Sequence, residues 1–325
     1  MDVRRIFEIQ SSEDFETLAL ETFSSQYRGV DLYREFCQHL GKNPTNVEQL
    51  ESIPFLPIEF FKTHRILKAG VSASTVFRSS GTTGSQRSQH FVADPELYRE
   101  SFTRGFKHFY GSPADYCILA LLPSYRERPD ASLIYMVSDL IEQSRHPESG
   151  FITGDTNTLF ETLEQLKRTE LRVLLLGVSY ALLDLALATD QKLDGVILME
   201  TGGMKGRRKE MIREELHQIL CREFDLSEIH SEYGMTELLS QAYSRGQGRF
   251  HCPPWMQVRM RDTEDPLSFL GYGRTGGINI IDLANQYSCA FLATQDLGRY
   301  YPDGSFEVLG RFDHSDIRGC NLMAI

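Results

Sequence analysis

The sequence predicts an α/β fold with mixed or parallel sheets layered by helices, followed by a small β-rich subdomain. Continuous apolar runs at residues 117–122, 173–177 and 196–199 alternate with segments of helical periodicity. Strands that are apolar on both faces and alternate with helices are typical of a parallel sheet covered on both sides. From about Cys252 the pattern changes to short strands and glycine-rich turns. We therefore predict an α/β body at residues 1–250 and a β-rich subdomain at residues 251–325.

The helices and strands of the body are predicted in chain order from the spacing of their apolar residues. Two helices are expected within residues 13–40, and Gly41 ends the second. Further helices are predicted at residues 96–109, 132–144, 181–187 and 207–224, and further strands at residues 71–77 and 90–92. Ligands bind beyond the carboxyl ends of the strands in a parallel sheet. The segment that follows residue 199 is therefore a candidate ligand site.

Composition narrows the class of protein. The chain has 325 residues, of which 41% are hydrophobic and 24% charged, and its formal net charge is −11. This charge, without a basic tract, disfavours nucleic acid as a partner. The six cysteines are scattered and form no C-x-x-C pair, which disfavours a disulfide framework and a structural zinc site. Because we find neither a signal peptide nor a run of membrane-spanning length, we expect a cytoplasmic protein without a membrane span.

A glycine- and hydroxyl-rich stretch lies between two predicted strands, at residues 77–88. Its glycines leave backbone N–H groups uncrowded and its hydroxyls add further donors, which suits phosphate oxygens. The spacing excludes a Walker motif, because Gln86 stands where the second glycine is required. A flexible surface turn is the alternative interpretation. The ordered string and the cation after it favour a phosphate-binding loop that comprises Ser79, Ser80, Gly81, Thr82, Thr83, Gly84 and Arg87.

Two later segments contain residue types that suit a nucleotide. Gly202 and Gly203 follow the strand at residues 196–199 and would let a flat ring approach the backbone, although glycine there also serves turn geometry alone. Further on, an aromatic ring that can stack on adenine, a glycine, a hydroxyl and a carboxylate come from Tyr233, Gly234, Thr236 and Glu237. The Glu237 carboxylate suits Mg²⁺, which takes hard oxygen ligands and few of them from protein. A helix N-cap at Thr236 is the alternative.

These segments resemble the ordered motifs of the adenylate-forming superfamily, which includes acyl-CoA synthetases, adenylation domains and firefly luciferase. The glycine-rich stretch resembles S/T-S-G-T-T-G-x-P-K, with Gln86 and Arg87 in place of proline and lysine. The segment that begins at Tyr233 is similar to Y-G-x-T-E. A third motif, T-G-D…D-G…G-R, is matched from Asp296 to Arg311, with glutamine in place of the first glycine.

The resemblance implies the N-terminal core fold of that superfamily, with ATP and Mg²⁺ as cofactors and a carboxylic acid as substrate. It implies that Asp296 binds the ribose hydroxyls and that Arg311 also contacts the nucleotide. Thr236 and Glu237 are then expected among the catalytic residues, with Glu237 as the metal ligand.

The end of the sequence points to one branch of the superfamily. Other members continue past a G-R-x-D hinge into a lid domain, whereas few residues follow Asp313 here, so we expect no lid domain. The short length and Cys320 resemble the acyl-protein synthetases, the fatty-acid-activating component of bacterial bioluminescence and its relatives. That branch passes the activated acyl group to a cysteine near its C-terminus, which implies a catalytic role for Cys320. Arg318 nearby would favour its thiolate.

Two other functions stay open from the sequence. An acyl-CoA ligase would pass the acyl group to coenzyme A instead of Cys320. A catalytically impaired nucleotide-binding protein would bind ATP without forming an adenylate. The expected partners are therefore a carboxylic acid and either coenzyme A or a protein that receives or donates the acyl group.

Overall fold

The computed structural model describes residues 2–80, 86–123, 128–152, 156–167, 169, 171–202 and 211–312. Within these ranges, twelve strands form one large sheet and two more form a separate hairpin. The helices are α1 (Ser12–Gly29), α2 (Asp31–His39), α3 (Phe60–Thr63), α4 (Pro95–Tyr110), α5 (Ser132–Ser144), α6 (Thr156–Leu166), α7 (Ser179–Ala188) and α8 (Arg213–Phe224). The strands are β1 (Leu56–Pro57), β2 (Thr75–Arg78), β3 (Gln89–Val92), β4 (Tyr116–Leu121), β5 (Gly150–Phe151), β6 (Arg172–Val178), β7 (Val196–Thr201), β8 (His230–Tyr233), β9 (Ala242–Ser244), β10 (Phe250–His251), β11 (Met256–Arg261), β12 (Thr275–Asp282), β13 (Phe291–Tyr300) and β14 (Phe306–Arg311).

The large sheet has a parallel half and an antiparallel half. Its strand order is β11-β12-β13-β14-β10-β9-β8-β7-β6-β4-β5, with β1 beside β13. Strands β4 to β8 pair in parallel, and of these the apolar runs predicted β4, β6 and β7. Beyond β8, the sheet continues through β9, β10, β14, β13, β12 and β11, and each of these strands pairs antiparallel with the one before it. Strands from both sides of residue 250 thus share one sheet, and the division into two units at that residue stays a prediction.

In the parallel half, β4, β6, β7, α5 and α7 match predicted elements, β5, α6 and β8 were not predicted, and the start of α8 is corrected. Every residue of β6 from Val173 to Val178 is buried, and helices α5 and α7 pack on β4, β6 and β7. Helix α8, however, begins at Arg213 and not at the predicted residue 207. Ile212 has an extended backbone and is 62% exposed, so it caps the helix from outside instead of extending its apolar face.

The N-terminal helices close over the antiparallel half. Helix α1 starts at a capping box in which Ser11 and Asp14 bond each other's backbone N–H groups. Its Gln26 side chain is buried and reaches the β12–β13 loop, where Nε2 donates to the Asn285 carbonyl at 2.7 Å and Oε1 accepts from Ala290 N at 2.9 Å. Strand β1 pairs in parallel with β13. The loop that contains Asn285 is therefore held from the N-terminal side of the chain.

None of the helices described is both long and apolar enough to cross a membrane.

Candidate active site

The hairpin of β2 and β3 presents the glycine-rich stretch between its two strands. Arg78 pairs with Gln89 in its last register, and the next pair closes the neck of the loop. There Ser79 N donates to the Ser88 carbonyl at 3.1 Å, and Ser88 N donates to Ser79 Oγ at 3.0 Å. Ser80 beyond the neck is exposed. The two hydroxyl residues of the neck thus fix where the loop leaves the hairpin.

Three arginines surround the carboxylate of Asp130 beside this neck. We call Arg78, Arg87, Arg128 and Asp130 the arginine cluster. Arg78 Nη1 and Arg87 Nη1 lie 3.7 and 3.8 Å from Asp130 Oδ2, and Arg128 Nε lies 3.9 Å from Oδ1. Arg128 Nη2 also donates to the carbonyls of Arg78 and Ser79, at 3.2 and 2.8 Å. Burial lowers the pKa of Arg128, although Asp130 opposes that effect. The cluster brings positive charge to the base of the loop.

The carboxylate of Glu237 lies against the same neck. Glu237 follows β8 in a turn, is 7% exposed, and has the Ser88 side chain beside its carboxylate. Burial raises its pKa, against the effect of that side chain and of the more distant Arg311 and Lys62 charges. The predicted N-cap alternative at Thr236 does not arise, because residues 234–241 form a turn and no helix. The first and second motifs are therefore in contact through Ser88.

The second and third motifs meet at Asp296, which lies in β13. Tyr233 Oη donates to Asp296 Oδ2 at 2.8 Å, and Arg311 Nε lies 3.1 Å from Oδ1. Burial and Asp296 raise the pKa of Tyr233. The Tyr233 ring packs edge-on against Phe250 and Phe306, with ring centroids 5.8 and 5.6 Å away. This packing fixes the phenol, which in turn orients the Asp296 carboxylate.

The end of β7 contains another buried carboxylate, that of Glu200. Arg213 Nε binds its Oε1 at 2.8 Å, His217 Nε2 lies 3.6 Å away, and Ser179 Oγ donates to Oε2 at 2.8 Å. Burial raises the pKa of Glu200, but Arg213 and His217 outweigh that effect and lower it to about 2. Gly202 follows with a left-handed backbone, φ +70°, and its carbonyl lies 2.9 Å from Ser179 Oγ. Helix α8, through Arg213, thus holds the carboxyl end of β7.

A further buried carboxylate is that of Glu232 on β8, the strand that pairs with β7. Thr201 donates to it, and burial raises its pKa to about 7. A Cβ at Gly234 would lie 2.5 Å from Glu232 Oε1, so any other residue there would displace the Glu232 carboxylate. We call Glu200, Glu232, Glu237 and Asp296 the buried acids; each is less than a tenth exposed. Gly234 thus has a packing reason beside its predicted contact with a nucleotide.

A family model described as acyl-protein synthetase, LuxE, matches residues 6–324 of the chain. The chain belongs to this family. The resemblance drawn from the three motifs is therefore confirmed at the level of the branch. Among curated proteins, none matches the chain.

Solved structures show which fold this LuxE-family chain has. 2-Hydroxyisobutyryl-CoA ligase in complex with 2-HIB-AMP matches with a TM-score of 0.69 and 12% identity, over 95% of this chain and 70% of that one. ATP-bound MatB from Rhodopseudomonas palustris matches with 0.54 and 18% identity, over 73% of this chain and 47% of MatB. An ATP-bound RpMatB-BxBclM chimera gives 0.55 and 18% identity, over 73% and 47%. The chain spans about half the length of these MatB structures, and the predicted fold class is confirmed.

The structure of this LuxE-family chain describes part of the predicted site. Described are Ser79, Ser80, Arg87, Gly202, Tyr233, Gly234, Thr236, Glu237, Asp296 and Arg311. Outside the described residues lie Gly81, Thr82, Thr83, Gly84, Gly203 and Cys320. Among those described, the neck of the loop contacts Glu237, and Tyr233 and Arg311 contact Asp296, whereas Arg87 pairs with Asp130.

Sequence reasoning missed Arg78, Arg128 and Asp130. Arg78 precedes the glycine-rich stretch directly, where its charge could have been noted with that of Arg87. Arg128 and Asp130 follow β4, and the carboxyl ends of parallel strands are where ligands bind. Applying that rule to every predicted strand would have singled them out.

No group of three or more His, Cys, Asp and Glu side chains in the described ranges is arranged to hold a metal ion. Mg²⁺ keeps most of its waters and takes one or two carboxylates from protein. Glu237 fits that role, since its carboxylate is buried beside the loop neck and has the Ser88 hydroxyl beside it. The Glu237 carboxylate is therefore a chemically suitable ligand for Mg²⁺ in this LuxE-family chain.

Proposed function

We propose that this protein uses ATP to convert a carboxylic acid, a fatty acid in particular, to an acyl-adenylate and passes the acyl group to the thiol of Cys320. The observation that carries the first step is the contact between Ser88 and Glu237. It brings an acidic, metal-suited side chain to the neck of a glycine- and hydroxyl-rich loop. Membership of the acyl-protein synthetase family supports the second step.

Adenylation gives the acid a leaving group. A carboxylate oxygen of the substrate attacks the α-phosphorus of ATP, the bond from that phosphorus to the bridging oxygen breaks, and pyrophosphate leaves. Negative charge then builds on the phosphates, and donors fixed in advance lower the barrier. The arginine cluster, with Arg78, Arg87 and Arg128 within 4.0 Å of Asp130, supplies positive charge at the base of the loop. Mg²⁺ held by Glu237 would offset charge on the same phosphates.

The nucleoside part of ATP is proposed to lie at the carboxyl ends of β7 and β8. Asp296 is suited to ribose hydroxyls, because Tyr233 and Arg311 orient its two oxygens while each oxygen can still accept another bond. The side chain of Arg311 is 74% exposed, so its guanidinium is open to a ligand from solvent. Gly202 and Gly203 would border the adenine together with Tyr233. Thr82 and Thr83 would donate to the phosphates.

Transfer to Cys320 completes the proposed reaction. The thiolate attacks the acyl carbon, a thioester forms, and AMP leaves. The five described cysteines do not suit this role, because burial raises the pKa of each: Cys37, Cys117, Cys221, Cys252 and Cys289. Magnesium, ATP and a carboxylic acid are thus the proposed small-molecule partners, and the location is proposed to be cytoplasmic.

Pyrophosphate exchange and intact mass test both steps. With ATP, Mg²⁺ and the right acid from a fatty and aromatic panel, the protein should exchange pyrophosphate and gain one acyl mass that hydroxylamine removes. Cys320→Ser should keep the exchange and lose the adduct, with Cys221→Ser as the control that keeps both. An adduct that survives in Cys320→Ser would overturn the transfer step. ATP binding without exchange for any acid would overturn adenylation.

Transfer to coenzyme A is the second candidate, because 2-hydroxyisobutyryl-CoA ligase shares this fold over 95% of the chain. In that case the acyl-CoA should accumulate over many turnovers, in Cys320→Ser as in the wild type. Single acylation of the protein without coenzyme A would contradict it.

A further inference from the structure

The hairpin of β2 and β3 stands apart from the large sheet. Its strands pair only with each other among the described strands. A lone two-stranded hairpin is only marginally stable in water, so its position on the body depends on other contacts. This hairpin presents the proposed phosphate-binding loop, whereas Glu237 belongs to the body. Whatever docks the hairpin therefore sets the distance between the two.

Two side chains, one just before β3 and one within it, reach adjacent residues of the turn that contains Thr236 and Glu237. Ser88 and His90 are two positions apart, so they point to the same side of the strand, and they are 3% and 1% exposed. The Ser88 hydroxyl lies beside the Glu237 carboxylate, and His90 Nδ1 lies 2.8 Å from the Thr236 carbonyl oxygen. Because a carbonyl only accepts, Nδ1 carries the proton and donates.

The other side of the His90 ring is held by the β12–β13 loop. With the ring proton on Nδ1, Nε2 is an acceptor: Ser288 Oγ lies 3.0 Å away as its donor, while Asn285 Oδ1, itself an acceptor, lies 3.1 Å away as a packing neighbour. Asn285 Nδ2 donates to the Glu237 carbonyl at 2.8 Å, which fixes the orientation of that amide. Phe61 packs edge-on against the ring at 5.4 Å. His90 therefore joins the hairpin, the turn and the loop at one point.

We propose that His90 is a positioning residue that holds the Thr236–Glu237 turn in register with the neck of the glycine-rich loop. This rests on the proposed adenylation, in which Glu237 and the loop act on the same phosphates. Burial lowers the pKa of His90 to about 4, so the ring is neutral near pH 7 and its single proton is the one on Nδ1. His90 acts through hydrogen-bond geometry and makes no contact with substrate.

Three variants separate positioning from stability. His90→Leu keeps bulk and removes the donor. His90→Asn returns an amide N–H near the place of Nδ1. Val92→Ala is the matched control, since Val92 is buried on the same face of β3 and forms no part of the network. All three should lower the melting temperature.

Only the loss of the donor should change catalysis. Displacement of a reacting group by about 1 Å can cost roughly 10²-fold in rate, so we expect His90→Leu to lose about 10²-fold in the kcat of pyrophosphate exchange. The Mg²⁺ concentration for half-maximal exchange should rise as well. His90→Asn should recover at least about a tenth of the wild-type rate, and Val92→Ala should stay within about twofold below its melting temperature. Unchanged kcat in His90→Leu, or equal losses in Val92→Ala, would overturn the proposal.

Amide hydrogen exchange gives a readout that needs no activity. The N–H groups of Leu239 and Ser240 donate to Asp282, so their exchange reports on the order of the turn. His90→Leu should speed exchange across residues 234–240, and Val92→Ala should not. If the wild type shows no pyrophosphate exchange, the proposed function fails while this measurement still decides the role of His90. Equal protection of these amides in the wild type, His90→Leu and Val92→Ala would refute the positioning role of His90.

Discussion

The two groups of charge beside the candidate site are held in opposite ways. In the arginine cluster, Arg78 and Arg87 are 43% and 47% exposed and share one acid, Asp130, with Arg128. The buried acids are each less than a tenth exposed, and each has its own partner. Water solvates the first group, whereas the second depends on fixed donors. Loss of an exposed arginine should therefore be tolerated in the arginine cluster, whereas loss of the charged partner of a buried acid should be costly.

The largest loss of stability is expected for Arg213→Met. It leaves the Glu200 carboxylate, 2% exposed, without its closest cation. Removing one partner of a buried ion pair costs about 3–5 kcal/mol, which urea unfolding at pH 7 would measure. Adding Glu200→Gln to the same chain should restore part of that loss, because the uncompensated charge disappears. If Arg213→Met unfolds at the wild-type urea concentration, Glu200 does not depend on this partner.

Glu200 and Glu232 should give stability an opposite dependence on pH. The lowered pKa of Glu200 contributes stability above about pH 4.5 that is lost as the pH falls toward 2. The raised pKa of Glu232 contributes stability below about pH 4.5 that is lost as the pH rises through 7. The second shift corresponds to about 3 kcal/mol.

Glu232→Gln isolates that second effect. Its free energy of unfolding should lose the decline between pH 5 and pH 8 that the wild type shows. Glu228→Gln, at an acid that is 53% exposed, should keep the decline. The same slope in Glu232→Gln as in the wild type would mean that Glu232 is ionised throughout this range.

Glu237→Gln should affect turnover more than folding. The amide keeps the shape of the side chain beside the Ser88 hydroxyl, so we expect the free energy of unfolding to change by less than about 1 kcal/mol. Mg²⁺-dependent pyrophosphate exchange should fall by about 10²-fold, since removing one electrostatic contact to the transition state costs that much. Glu264→Gln, at an exposed acid, serves as the control. Full exchange in Glu237→Gln would exclude Glu237 as the metal ligand.

The smallest effect is expected for Arg87→Ala. Its ion pair is exposed, and Asp130 keeps Arg78 and Arg128, so the free energy of unfolding should change by less than about 1 kcal/mol. Arg128→Ala should cost more, because Arg128 also binds the carbonyls of Arg78 and Ser79. Thermal unfolding of the two variants side by side measures the difference, and a larger loss for Arg87→Ala would reverse our reading of the cluster.

What the sequence predicted well was local. A continuous apolar run such as β6 predicts a buried strand, because the run is visible in the sequence whichever residues later pack on its two faces. Glu237 was singled out by residue type and Asp296 by the resemblance to the third motif, and their roles stay predictions. The start of α8 was missed because Ile212 looks apolar in sequence yet is exposed.

The partners of the motif residues could not be found in the same way. His90 meets Asn285 from 195 residues away, and Arg213 reaches the Val308 carbonyl from 95 residues away. No periodicity records a contact of that kind, since it exists only once the sheet and its covering segments are packed. Buried polar groups nevertheless need partners, so each motif carboxylate implied an unseen donor.

The bond from Gln26 to the Asn285 carbonyl spans 259 residues, and this has a consequence for synthesis. Helix α1 emerges from the ribosome long before the loop that accepts its buried side chain. At about 5–20 residues per second, the wait is roughly 10–50 s. During that interval Phe23, which is 1% exposed in the finished fold and packs edge-on against Phe291, has no β13 to cover it. Part of the apolar face of α1 thus stays uncovered until the last quarter of the chain has been made.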